Sequence, residues 1–375
     1  MIRNELREMI SLAERLSAVG EPAVLATLFS ANGSSYRPLG SMMLGGPSSA
    51  LTVGGVSGGC LEEYVARRGR ALTEQQPAVM LSFESAADAF QPGVPSLGCG
   101  GSIEVLVERF TPDHLAFLRQ VAAAHERDDA SAAVCEIDVS AQPAMKVKRT
   151  LLTSGVPMMS LAPLLKQLIE RAMSRERSIE GPIGAERGAM VHYIPPLVRL
   201  VVLGAGNDAQ PLCTLAHSLG WHVSIADRRT RMATRNRFPE ADHIVADDWW
   251  KAIESITFTE RTAVVAMTHN VADDAEILPL LAERPAAYVG VLGPEHRRRW
   301  LIDNAESGTL PESFQQRLRG PVGLDLGERS ASGIAVSIVS EILAELNGRN
   351  AKPLYLEGGA ARAAESPRVA TADNL

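Results

Sequence analysis

Two of the chain's four cysteines sit among glycines: Cys60 in GGVSGGCLEEY, residues 54–64, and Cys99 in SLGCGGSIEVLVE, residues 96–108. A thiolate is both a nucleophile and a soft-metal ligand. Glycines on either side, Gly58 and Gly59 before Cys60 and Gly98 and Gly100 around Cys99, remove side-chain bulk so that a large flat ligand can reach the sulfur. Backbone N–H groups in such turns can cradle an anion. Cys60 directly precedes a helical stretch, and a helix N-terminus favours a thiolate. A plainer reading stands beside this one for each: a tight turn with the cysteine as a small buried residue. Cys135 alternates inside a strand and Cys213 falls early in a packed helix, so both read as core. With no C-x-x-C and scattered histidines, the pattern is not that of a zinc site.

A third glycine-rich piece, NGSSYRPLG, places Gly33, Ser34, Ser35 and Arg37 together. Small hydroxyls, open backbone and one guanidinium suit a phosphate or a polar heterocycle, although a turn between strands explains Gly33 and Pro38 equally. A fourth constellation is different in kind. VRLVVLGAGNDAQPLCTLAHSLGWHVSIADRR runs strand, G-x-G-x-x-A turn, helix, strand and acidic residue in order. In such a unit Gly204 permits the tight turn, Gly206 lets the backbone approach a pyrophosphate, and Ala209 permits close helix packing. The helix N-terminus would face the phosphates. Asp227 suits a ribose hydroxyl, whereas Arg228, Arg229 and Arg231 suit a 2′-phosphate. His269 closes a later strand at the edge where ligands of open parallel sheets sit, a position that a loop-closing polar residue would also take.

The elements that must position these residues follow from periodicity. MIRNELREMISLAERL has Ile2, Leu6, Met9, Ala13 and Leu16 at helical spacing, without the apolar core of a signal peptide. Strands are expected from EPAVLATLFSAN, SMML, ALTVGGV, AVMLSFE, SIEVLVERF and SAAVCEIDVS. Helices are expected from LEEYVARRGRAL, from TPDHLAFLRQVAAAHE with Thr111 as N-cap, and from LAPLLKQLIERAM. Pro195-Pro196 marks a boundary, after which ADHIVAD, TAVVAMTH, AAYVGVLG and GPVGLDLG continue a parallel sheet. The fold class is therefore α/β: an N-terminal α/β domain over 1–195, a C-terminal Rossmann-like parallel-sheet domain over 196–350, and a disordered tail over 351–375.

Composition sets the outer limits. The 375 residues carry a formal net charge of -7, which argues against nucleic acid as the main partner. No apolar run is long enough to span a membrane. Few, unpatterned cysteines point to a cytoplasmic protein with reduced thiols.

In this order, GSSYRPLGSMML, GGVSGGCLEEYV, LGCGGSIEVLVE, VVLGAGNDAQPL, VAMTHNVADDAEILPLLAERPAAYVGVLG and PVGLDLGERSASGIAVSIVSEI resemble the XdhC/CoxI family, from about residue 10 to 347. The resemblance implies a molybdenum-cofactor chaperone, an accessory protein rather than a metabolic catalyst. Such a protein binds the finished cofactor, protects it while an oxo ligand is exchanged for sulfido, and hands it to a xanthine dehydrogenase-type molybdenum hydroxylase apoenzyme. It also implies a cysteine desulfurase as partner and allows a homodimer. Under it, Cys60 is the leading cofactor and metal contact and Cys99 the second, with Ser34, Ser35, Arg37 and the flanking glycines around them. The chemistry agrees, since molybdenum with dithiolene and sulfido sulfurs is soft and its pterin is flat, polar and phosphorylated. Three departures stand out: Tyr36 for a usual proline, Ser57 for the first of three glycines, and Ala331-Ser332-Gly333 for a proline with two glutamates. Two rival readings remain. One is an NAD(P)-dependent oxidoreductase, for which only His269 is placed to transfer a proton. The other is a nucleotide-sensing regulator with both cysteines in the core.

Overall fold

The structure, a computed structural model, describes residues 3–33, 35–48, 51–84, 101–140, 144–154, 158, 161–304 and 310–357. The chain divides into two compact units that meet in sequence at Pro196 and Leu197.

The first unit opens with helix α1 (Arg3–Ala18), whose buried stripe of Leu6, Met9, Ala13 and Leu16 follows the helical repeat. Five strands, β1 (Val24–Asn32), β2 (Met42–Gly45), β3 (Thr52–Gly54), β4 (Ala78–Glu84) and β5 (Ser102–Arg109), form an antiparallel sheet in the order β3-β2-β1-β5-β4. Alternation along β1 divides two cores. Leu25 packs with α1 and with α3 (Pro112–Ala124), whereas Val24, Ala26 and Leu28 pack with α2 (Glu62–Arg70). Gly69 lets α2 lie directly on the sheet, because a Cβ there would overlap the Val24 side chain.

A second antiparallel sheet, ordered β7-β6-β9-β8, consists of β6 (Ser131–Asp138), β7 (Lys146–Leu152), β8 (Ile179–Gly184) and β9 (Arg187–Ile194). Helix α4 (Pro163–Ser174) covers one face of it with Leu165, Leu168, Ile169 and Ala172. Periodicity finds β6 and α4 but misses β7, β8 and β9. Edge strand β7 reads KVKRTLL with only its last residue buried, and edge strand β8 carries Pro182 between two glycines. On the other face, Cys135 and Met190 meet Phe29 and Leu106 of the first sheet.

The second unit is a doubly wound parallel sheet in the order β12-β11-β10-β13-β14-β15. Its strands are β10 (Arg199–Leu203), β11 (His222–Ala226), β12 (His243–Val245), β13 (Thr262–Ala266), β14 (Ala286–Val291) and β15 (Leu318–Arg319). Helices α5 (Ala209–Ser218) and α10 (Ala331–Leu346) pack against one face. The other is covered by α6 (Trp249–Glu254), α7 (Val271–Ala282), α8 (Glu295–Asp303) and α9 (Glu312–Arg317). One expectation is corrected here: GPVGLDLG is not a strand. The sixth strand is the preceding Leu318–Arg319. Pro321 has no ladder donor and Gly323 is left-handed (φ 99°), so Asp325 and Gly327 lie in the exposed loop before α10. Among the described residues, no helix is long and apolar enough to cross a membrane.

Candidate functional site

Sheet topology gathers the glycine-rich pieces of the first unit. Strands β1 and β3 run in the same direction, while β5 runs opposite to both. Asn32, the last residue of β1, pairs with Ser102, the first of β5, which also pairs with Glu84 at the end of β4. The loop after Asn32, the loop after Gly54 and the chain entering β5 through Gly101 therefore leave the same end of the sheet. Ser34, Gly98, Cys99 and Gly100 lie outside the described residues.

The turn from β3 to α2 is held by its own side chains. Glu62, the first residue of α2, folds its carboxylate back under the turn. Its Oε1 accepts from the amides of Ser57 (2.8 Å) and Val56 (3.2 Å); its Oε2 accepts from the Ser57 hydroxyl (2.6 Å) and the Leu61 amide (3.1 Å). Ser57 Oγ in turn accepts from the amides of Gly59 and Leu61, each at 3.2 Å, and from the Cys60 thiol at 3.7 Å. Partial burial opposes the charge on Glu62. The Ser57 hydroxyl and the surrounding amides outweigh it and hold the carboxyl below its usual range. The anion cradle expected from the glycines thus exists, but Glu62 occupies much of it.

Above this brace the surface is open. Cys60 is exposed, so the buried-residue alternative does not describe it. Gly59 is left-handed (φ 109°), and a Cβ there would meet nothing within 4 Å. Gly58 carries the ring of Tyr36, 3.4 Å from where its Cβ would stand, and Tyr36 is 77% exposed. The neighbouring loop is tightened by Ser35 Oγ donating to the Arg37 carbonyl at 2.8 Å. Arg37, expected to offer its guanidinium to a phosphate or polar heterocycle, turns back onto α1 and pairs with Glu5 at 3.1 Å. The structure thus brings Ser35, Tyr36, Arg37, Gly58, Gly59 and Cys60 together. Sequence reasoning marked Ser57 only as a departure and passed over Glu62, yet the two hold the turn. An acid in the first turn of a helix shortly after a serine was the available signal. Cys135 and Cys213 are buried, and burial pushes both thiols up to about 12. Among the described residues, no three His, Cys, Asp or Glu side chains gather as a metal site.

In the second unit, Gly204 (φ 115°) lies against the backbone of the β13 end: an added Cβ would overlap the Met267 carbonyl and stand 2.8 Å from the Thr268 nitrogen. Ala209, the first residue of α5, is fully buried. Gly206 faces His269, whose Nε2 would stand 3.6 Å from a Cβ at 206. His269 is left-handed (φ 60°) and approaches the Asp208 carboxylate at 3.4 Å. Arg237, which sequence reasoning did not single out, donates to Asn207 Oδ1 at 3.0 Å and to the Ala205 carbonyl at 3.2 Å.

Asp227 stands where the fingerprint requires, just after β11, but it is only 2% exposed. Its Oδ2 accepts from the Ala205 amide and Arg229 Nη2, both at 2.7 Å; its Oδ1 accepts from the Arg229 amide (2.8 Å) and Nε (2.9 Å). Both oxygens are filled, so Asp227 braces the glycine turn rather than offering an acceptor to a ribose. Arg228 is engaged by Asp273 at 3.0 Å and by Glu276. Of the residues expected at a nucleotide, Gly204, Gly206 and His269 come together with Asp208 and Arg237, while Arg231 lies exposed in the turn after β11.

Comparison with known proteins agrees with this architecture. Residues 16–84 match the XdhC and CoxI family, and residues 200–342 match the XdhC Rossmann domain. A probable xanthine dehydrogenase subunit of Bacillus subtilis (strain 168) is 30% identical over 324 residues, covering 86% of this chain and 93% of that protein. The molybdenum cofactor insertion chaperone PaoD of Escherichia coli (strain K12) is 22% identical over 341 residues, covering 91% and 89%. A xanthine dehydrogenase crystal structure from Bacillus halodurans superposes with a TM-score of 0.70 at 27% identity, covering 92% of this chain and 98% of that one. A relative of 30% identity along most of the chain, with both domain models matched in order, shows that this protein belongs to the XdhC and CoxI family.

Proposed function

We propose that this chain is a molybdenum-cofactor chaperone: it binds the cofactor as cargo at the Cys60 turn, shields it during sulfuration, and inserts it into a xanthine dehydrogenase-type apoenzyme. The observation that carries the reading is the exposed thiol on a braced turn beside bare Gly59 backbone, in a family whose E. coli member PaoD is a molybdenum cofactor insertion chaperone. The residues fit the cargo. A soft sulfur donor is accessible, nothing stands within 4 Å above Gly59, and an exposed Tyr36 ring offers a flat neighbour. Molybdenum supplies redox chemistry in the client enzyme; this chain's part is to hold, orient and release.

Cys60 meets the soft centre, Tyr36 and the glycine backbone border the flat ring system, and Cys99 is the second contact. A sulfur-supplying cysteine desulfurase is the expected second partner. In the second unit, Gly204 and Gly206 form the candidate nucleotide turn, with His269 at its edge.

Anaerobic loading with molybdenum cofactor, gel filtration and metal counting test the reading on Cys60→Ser, Cys99→Ser and Cys135→Ser. Cys60→Ser should fold normally, lose most retained molybdenum and fail to reactivate a hydroxylase apoenzyme. Cys99→Ser should lose less, and Cys135→Ser should load like the parent. Equal loading of the Cys60 and Cys135 variants would remove Cys60 from the site.

A further inference from the structure

In a doubly wound sheet the ligand position lies outside the carboxyl ends of the strands where their order reverses, which here is between β10 and β13. The glycine turn follows β10 and His269 follows β13, so the two meet across that crevice. A Cβ at Gly206 would stand 3.6 Å from His269 Nε2 and 3.7 Å from its Cδ2, both ordinary contact distances. The space that the missing side chain leaves is therefore one carbon wide. A phosphate, with four oxygens around its phosphorus, is larger than that. It reaches the Gly206 backbone only when the imidazole moves aside.

Both sides of the contact are fixed. Thr268, buried before the ring, donates its hydroxyl to Asp274 Oδ1 at 2.6 Å and accepts the Asn270 amide at 3.1 Å. Arg297 holds the other Asp274 oxygen through Nε at 3.0 Å and Nη2 at 2.6 Å. Asn270, after the ring, caps α7 by accepting from the Ala272 amide at 3.1 Å. Between these anchored neighbours His269 takes a left-handed backbone (φ 60°), which a residue with a Cβ rarely adopts. The turn opposite is held by Asp227 at the Ala205 amide and by Arg237 at the Ala205 carbonyl and Asn207 Oδ1. The imidazole itself is 55% exposed and approaches Asp208 Oδ2, on the turn, at 3.4 Å. A fixed mount, a fixed turn and a half-exposed ring between them have the parts of a gate. Asp208 also sets a negative charge where a diphosphate would enter. Arg228 and Arg229 do not offset it, since Asp273, Glu276 and Asp227 hold them.

We propose that His269 and Asp208 gate the glycine turn: in the free protein the imidazole covers Gly206 with Asp208 as its latch, and a nucleoside diphosphate binds only by displacing it. The inference rests on the reading of Gly204 and Gly206 as a nucleotide turn and adds what governs access to it. An exposed ion pair is a weak latch, so displacing it lowers ligand affinity by no more than about fivefold. Repulsion between the Asp208 carboxylate and the diphosphate lowers it further. The closed turn therefore opens reversibly, and the gate weakens binding without abolishing it.

The test titrates ADP by calorimetry into the full-length parent, Asp208→Asn, and the double variant Asp208→Asn with His269→Ala. Adenosine, which has no phosphate, is the comparison probe. Both side chains are part exposed and lie outside the cores of the second unit, so the substitutions leave the fold intact. Asp208→Asn keeps the side chain's size and removes its charge, and should bind ADP about tenfold tighter than the parent. Adding His269→Ala uncovers Gly206 and should tighten ADP by about threefold more. Adenosine should not distinguish the three proteins. Loss of ADP affinity on adding His269→Ala would make the imidazole a phosphate ligand, and equal ADP affinity in all three would mean that the ring obstructs nothing. Either result overturns the gate and leaves the turn a nucleotide site. No ADP binding by any of the three at about ten millimolar would overturn the gate together with the nucleotide reading beneath it.

Discussion

Removing the carboxylate that braces the cysteine turn is the sharpest perturbation available. Glu62→Ala deletes the acceptor for the amides of Val56, Ser57 and Leu61 and for the Ser57 hydroxyl. A hydrogen bond to a charged group contributes about 1.5–3 kcal/mol where water cannot replace it. Here the turn is half open and water takes over part of each contact, so the whole brace should be worth about 2–3 kcal/mol. Most of that loss is local, because the sheet and α2 keep their own cores. Amide exchange at Ser57 and Leu61 should therefore accelerate about 30-fold or more, while exchange in β1 and β5 barely changes. Glu62→Gln, which keeps one acceptor oxygen but turns an N–H toward amide donors, should fall between. The sign with pH follows from the lowered carboxyl: its contribution is full above the unfolded value of about 4.3 and fades as pH falls through the folded value. The difference between parent and Glu62→Ala should shrink accordingly in acid. Unchanged exchange at Ser57 and Leu61 at neutral pH would refute the brace, and with it the claim that the turn is formed before cargo arrives.

Three further outcomes are expected. Glu108→Ala leaves Arg149 charged and buried, and should cost about 3–5 kcal/mol in urea unfolding; the parent's own contribution from Glu108 should be lost as pH falls from about 4.3 toward about 2. Gly204→Ala places a Cβ on the Met267 carbonyl at a left-handed position and should cost about 2–4 kcal/mol, whereas Gly206→Ala should fold normally and Gly206→Val should block any nucleotide that the parent binds. Purified protein should show no NAD(P)-linked turnover on alcohols, aldehydes or hydroxy acids; sustained turnover abolished by His269→Ala would instead establish the oxidoreductase reading.

Legibility in the sequence followed the range of the interactions. The Gly204-to-Asp227 unit is local as a pattern, so strand, turn and helix are readable in a row, although the close approach that Gly204 permits is to Met267 and Thr268 of the distant β13 end. The direction of a side chain is not local, and Asp227 shows the limit. Its position was readable, but its commitment to the Ala205 amide and Arg229 depends on how deeply the β11 end is buried. Arg37 fails for a simpler reason, since Glu5 lies 32 residues away and no spacing rule links them. Ser57 and Glu62 are five apart, outside the three-residue spacing of a capping box, so a serine in place of glycine looks like a departure when it is the hub of the turn. Strands β7 and β8 lacked a signal because charged residues interrupt KVKRTLL and because Gly181 and Pro182 break the short run that buries Ile179 and Ile183.

The brace also bears on release. A turn that cargo had to order would charge its folding entropy against binding and would collapse on departure; a turn held by Glu62 and Ser57 does neither. Because its amides are already satisfied, they would add little to cargo affinity, and under the proposed function binding would rest on the Cys60 sulfur, the Tyr36 ring and bare backbone. Few contacts on a rigid edge give modest affinity with a short residence time, the balance a handover requires. The described chain enters β5 through Gly101, at the same end of the sheet as Cys60, and Cys99 precedes it by two residues in sequence. A second sulfur supplied from there would raise retention without rebuilding the turn. On this view Cys99→Ser should shorten the lifetime of the loaded complex more than it slows loading, whereas Cys60→Ser should reduce both.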